Sequence, residues 1–75
     1  MQHNWNQIHK LLLDRLGYKQ IIRYSSGIIS YRSPAGRKLV IKTQNKMSMD
    51  YVFSILLHIG FDYEAFRRFI KNKMK

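Results

Sequence analysis

The chain has no cysteine, only four acidic residues and a single proline. Without cysteine there are no disulfides, thiolate zinc sites or cysteine nucleophiles. The four acids, Asp14, Asp50, Asp62 and Glu64, are scattered. A two-metal nuclease needs several converging carboxylates, which this chain cannot supply. No His-x-x-x-His pair offers metal-ligand spacing, and no metal is expected. The four glycines, Gly17, Gly27, Gly36 and Gly60, fall singly at element boundaries. None forms a phosphate-cradling loop, so no cofactor is expected. No apolar run approaches the roughly 20 residues of a membrane span. Met1 to Asn6 is polar and lacks a signal-peptide apolar segment, so a cytoplasmic protein without a membrane span is expected.

What is present in excess is positive charge. Fourteen Lys and Arg oppose the four acids, for a formal net charge of +10. After Asp14 no acid appears until Asp50, and between them lie Arg15, Lys19, Arg23, Arg32, Arg37, Lys38, Lys42 and Lys46. A second acid-free run holds Arg67, Arg68, Lys71, Lys73 and Lys75. A solvated basic surface would account for this without function. The size of the excess favours an anionic partner, because self-repulsion destabilises a small fold. With 45% hydrophobic residues the chain is no disordered basic tail. At 75 residues it is one domain.

Trp5, Ile8, Leu12 and Leu16 recur at helical spacing, with Leu11 beside them. Asn4 is placed to cap this helix and Gly17 to end it. The period then changes. Residues 18–24, 28–32 and 37–42 read as three strands. They are joined through Ser25-Ser26-Gly27 and Ser33-Pro34-Ala35-Gly36 as an antiparallel meander. Ser48 or Asp50 can cap a second helix through about Ile59, with Val52, Ile55, Leu56 and Ile59 as its apolar stripe. Asp62 can cap a last, short helix, with Tyr63, Phe66, Phe69 and Ile70 on one face and Arg67, Arg68, Lys71 and Lys73 on the other. The fold class is α+β, in the order α-β-β-β-α with a C-terminal helix. Helices can cover only one face of such a sheet, so the other face meets solvent or a partner. Alternation puts Lys38, Val40 and Lys42 on one face and Leu39 and Ile41 on the other. Ile28, Ser30 and Arg32 oppose Ile29 and Tyr31, and Lys19, Ile21 and Arg23 share a face.

Four stretches carry a resemblance: Leu16-Gly17-Tyr18 closing the first helix, Ser26-Gly27 leading into the second strand, the hairpin Tyr31-Arg32-Ser33-Pro34-Ala35-Gly36-Arg37-Lys38, and the ending from Leu56 to Phe66. Together, over about Ile8 to Ile70, they resemble the small HicA-type mRNA interferase toxins of bacterial toxin–antitoxin pairs, which have a double-stranded-RNA-binding-domain-like fold. The resemblance implies that fold and a polyanion-facing surface; an antitoxin is expected as protein partner if the chain is an active toxin. It does not extend to the family's catalytic histidine just after the Gly-Ser at the second strand. The corresponding positions are Ile28 and Ile29, which can neither accept nor deliver a proton.

Three histidines remain. His3 lies in an N-terminus expected to fray, His9 on the polar face of the first helix, and His58 among apolar neighbours in the second. None stands in a catalytic pattern, and no catalytic residue is assigned. Met47 and Met49 read as core-edge residues or as an adaptable apolar contact for a protein partner, the first reading being favoured.

The residues therefore point to a non-catalytic domain that binds RNA or another polyanion. The contact residues expected are Lys19, Arg23, Arg32, Arg37, Lys38, Lys42 and Lys46, with Arg67, Arg68 and Lys71 as a second patch. Two alternatives stay open. One is an active interferase in which His58 or Tyr31 replaces the missing catalyst. The other is a phage or mobile-element inhibitor that sets its basic face against a host protein.

Overall fold

The computed structural model of the chain describes residues 3–73. Helix α1 spans Trp5–Lys10 and continues as a π-helical segment, Leu11–Arg15. Strands β1 (Lys19–Tyr24), β2 (Ile28–Arg32) and β3 (Lys38–Lys42) follow, then α2 (Met49–Ile59) and α3 (Tyr63–Lys73). The sheet is antiparallel in the order β1-β2-β3, so the meander expected from the turn residues is present.

The helix ends form where the capping chemistry lies. Asn4 and Gln7 make a reciprocal capping box: the Asn4 side chain accepts from the Gln7 N–H at 3.1 Å, and the Asn4 N–H donates to Gln7 Oε1 at 3.3 Å. Ser48 Oγ accepts from the Tyr51 N–H at the start of α2, and the Asp62 carboxylate from the Ala65 N–H at the start of α3. Helix α2 stops at Gly60, which takes the left-handed conformation at φ 70° while the Phe61 N–H donates back to the Leu56 carbonyl at 2.9 Å. Helix α3 has eleven residues, as many as α2.

The first helix departs from the regular α period expected through Leu16. The Leu16 N–H donates five residues back, to the Leu11 carbonyl at 3.1 Å, and the Tyr18 N–H reaches the Leu12 carbonyl at 2.8 Å. This wider turn leaves both Leu11 and Leu12 buried, with Leu16 only half-buried.

One contiguous core joins the apolar faces that the sequence patterns suggest. Ile8, Leu11 and Leu12 come from the first helix, and Ile29, Tyr31, Leu39 and Ile41 from the sheet. Val52, Ile55 and Leu56 come from α2, and Phe66, Phe69 and Ile70 from α3. The helices thus cover one face of the sheet and leave the other open.

The N-terminal segment corrects an expectation. His3 is not frayed but buried. It bridges to Met47, whose N–H donates to the His3 carbonyl at 2.7 Å, while the Trp5 N–H donates to the Gln44 carbonyl at 2.9 Å. The His3 ring pairs on both sides: Nδ1–H donates to Gln7 Oε1 at 2.9 Å, and Nε2 lies 3.0 Å from the Tyr63 hydroxyl. The segment preceding α2 is thereby tied to the chain start, and Met47 joins the core.

Candidate nucleic-acid interface

Residues paired across antiparallel strands project to the same face. The register therefore defines the open face as three cross-strand rows. Lys19, Arg32 and Lys38 form one row, Ile22, Ser30 and Val40 the next, and Tyr24, Ile28 and Lys42 the third. Ile22, Tyr24 and Val40 remain 45%, 42% and 49% exposed, which shows that no helix covers this side. Ser30 is nevertheless buried, because it sits in the central strand between Ile22 and Val40.

A β-bulge sets the first strand's contribution. The pairing shifts between Gln20 and Ile22, so Ile21 has no partner opposite it. Simple alternation placed Lys19, Ile21 and Arg23 on one face. The extra residue instead turns Lys19 to the side of Ile22 and Tyr24. Arg23 pairs with Ile29 on the helix-facing side, its guanidinium 5.5 Å from the centre of the Trp5 ring.

The cations proposed from the sequence thus divide. Lys19, Arg32, Lys38 and Lys42 share the open face, and Arg37 sits in the hairpin turn between Arg32 and Lys38. Lys46 lies in the connection to α2, and Arg23 lies at the sheet edge against α1. Arg67, Arg68 and Lys71 are on α3, in the helical layer across the core from the open face. Lys75, expected in the same run, lies outside the described residues. Arg67 is 3.6 Å from Glu64, and this is the one ion pair among the described residues. Among the described residues, the open-face cations have no carboxylate within ion-pair distance.

Next to the cationic row, a cavity of about 340 Å³ is lined by Gly17, Lys19, Ile21, Arg32, Ser33, Pro34 and Gly36. The tight turn builds one wall. The Gly36 N–H donates to the Ser33 carbonyl at 2.9 Å and Ser33 Oγ accepts from the Arg37 N–H at 2.9 Å, with Gly36 at φ 87°. Two cations and a polar turn around a concave surface suit a phosphate oxygen.

Two of the remaining titratable groups, Tyr31 and His9, belong to a hydrogen-bonded network between helix and sheet. Tyr31 is fully buried, and its hydroxyl accepts from Trp5 Nε1–H at 3.1 Å and is hydrogen-bonded to His9 Nδ1 at 2.8 Å. Burial raises the Tyr31 phenol above its usual pKa, with the Trp5 hydrogen bond and Arg23 opposing. Burial also lowers the His9 pKa, helped by Lys10 and Arg23 and opposed by Asp14. His9, read from sequence as a polar-face residue, is therefore a partly buried member of a structural network. His58 is exposed beside β3. Ile28 is in the third row of the open face, and Ile29 is in the core. Among the described residues no three His, Cys, Asp or Glu side chains cluster to hold a metal, and no helix is long and apolar enough to cross a membrane. No protein-family model, curated protein or solved structure matches this chain.

Proposed function

We propose that this chain is a non-catalytic RNA-binding domain, HicA-like in fold, whose open sheet face meets the phosphate backbone. The observation that carries this reading is the cross-strand row Lys19–Arg32–Lys38. Like charges directly opposite on neighbouring strands are destabilising. Such a row, with no carboxylate beside it among the described residues, is relieved when an anion binds. Lys42 extends the positive surface, and Tyr24, exposed in the third row, presents a ring on which an unpaired base can stack. Phosphate contacts of this kind fix position and carry little sequence information.

Cleavage of RNA by attack of the 2′-hydroxyl needs a proton acceptor and a donor at the bound strand. The family's histidine position is occupied by Ile28, Tyr31 is enclosed in the core, and the exposed His58 stands on α2, outside the three rows of the open face. The protein therefore binds RNA and leaves it intact, and its expression does not arrest growth. Fluorescence anisotropy with a labelled single-stranded RNA across a salt series tests the reading. Four phosphate contacts give a log–log slope of about −3. An affinity indifferent to salt, or RNA cut by purified protein, would refute it.

A further inference from the structure

The free edge of β3 carries unpaired backbone groups. The Thr43 N–H donates to the Gly27 carbonyl and the Ser33 N–H to the Arg37 carbonyl. In an antiparallel ladder bonded and non-bonded pairs alternate. Those two bonds therefore fix 29 with 41 and 31 with 39 as the bonded pairs between β2 and β3. Lys38, Val40 and Lys42 turn their N–H and C=O groups outward. The Lys42 N–H confirms this, because it donates to the Tyr51 hydroxyl of α2 at 2.9 Å. The N–H groups of Lys38 and Val40 have no protein partner among the described residues. Beside them a groove of about 330 Å³ opens between β3 and α2, lined by Lys38, Val40, Tyr51, Ser54, Ile55 and His58 among others.

We propose that this edge takes up an acidic, extended peptide segment of a protein partner as a short fourth strand. The added strand bonds to Val40 and Lys38 through its backbone and runs antiparallel to β3. Its side chains opposite Lys38 and Lys42 fall on the open face and are carboxylates. The one opposite Val40 is apolar. The one opposite Leu39 points into the groove toward Ile55 and is also apolar.

Charge selects this occupant. A second copy of the chain would bring Lys38 of each protomer opposite Lys42 of the other, on chains each carrying +10. Edge lysines of this kind discourage self-pairing. Carboxylates at the same two positions turn that repulsion into attraction. The opposite edge of the sheet is guarded differently, by the bulge at Ile21. This inference goes beyond RNA binding and does not rest on it.

A peptide reading Glu-Thr-Val-Leu-Glu, blocked at both ends, tests the proposal with the intact protein, against a version with both Glu replaced by Gln. Proline at position 40 removes the outward N–H without touching an internal ladder bond, which edge strands tolerate. The acidic peptide is expected to slow amide exchange at Val40 and Lys38 in the native protein. Val40→Pro is expected to weaken its binding about tenfold, as is the Glu-to-Gln peptide. Unchanged binding to a folded Val40→Pro protein overturns the proposal. So does peptide binding that leaves the Val40 amide exchanging freely, and so does absence of binding to native protein. If Val40→Pro does not fold, the exchange measurement on native protein decides alone.

Discussion

His9 Nδ1 and the Tyr31 hydroxyl lie 2.8 Å apart, joining the first helix to the central strand across 22 residues of chain. Trp5 Nε1–H completes the group by donating to the same hydroxyl. The three side chains form a polar link where helix meets sheet, held in register by packing around the buried Tyr31 ring.

Tyr31→Phe keeps the ring and deletes the shared partner. Trp5 Nε1–H and His9 Nδ1 each lose a hydrogen bond within the helix–sheet contact. The expected loss is about 1–3 kcal/mol of unfolding free energy, measured by urea denaturation. A change within experimental error would mean that the link is ornamental.

The same network makes stability depend on pH. Burial first, then Lys10 and Arg23, hold the His9 pKa below its ordinary 6.5, against Asp14. The unfolded chain then binds this proton at a higher pH than the folded one. The stabilisation is fully present above about pH 6.5 and is lost as pH falls through the depressed folded value. Thermal unfolding at about pH 7 and about pH 5 is expected to show a larger fall in Tm for the native protein than for His9→Gln. An equal fall in both would remove His9 as the cause.

His3→Ala tests whether the chain start belongs to the fold. The imidazole is buried, contacts Phe66 at 5.1 Å between ring centres, and pairs with Gln7 and Tyr63. Its removal is expected to cost about 2–3 kcal/mol in chemical denaturation, through a cavity and lost hydrogen bonds. A frayed segment would change stability by no more than about 0.5 kcal/mol.

Gly60→Ala isolates backbone strain at the end of α2. An added Cβ would meet nothing within 4 Å, but φ is 70° there. A loss of about 1 kcal/mol is expected from the left-handed conformation alone. No loss would show that α2 can end in another way.

These positions also show what the sequence could reveal. Asn4, Ser48, Asp62 and Gly60 act through hydrogen bonds to residues three or four places away, so the helix ends were legible. The meander was legible for the same reason, since Gly27 and Gly36 set local turns. The bulge was not, because Ile21-Ile22 places two equally apolar side chains in succession and either satisfies a period of two. The roles of His3 and His9 depend on Tyr63 and Tyr31, partners 60 and 22 residues distant, with no local pattern to announce them. The open-face cations were named from charge and strand alternation, but the line of Lys19, Arg32 and Lys38 across three strands required the register.

Charge reversal at two places most directly tests the claim that RNA meets the open sheet face. One variant combines Lys19→Glu, Arg32→Glu and Lys38→Glu; the other combines Arg67→Glu, Arg68→Glu and Lys71→Glu. Both lower the net charge equally. Measured by RNA anisotropy at one fixed salt concentration, the sheet-face variant is expected to bind at least about a hundredfold more weakly than the α3 variant, which retains the local phosphate contacts. Equal losses in the two variants would show that overall charge, not the cationic row, governs binding, and would contradict the account.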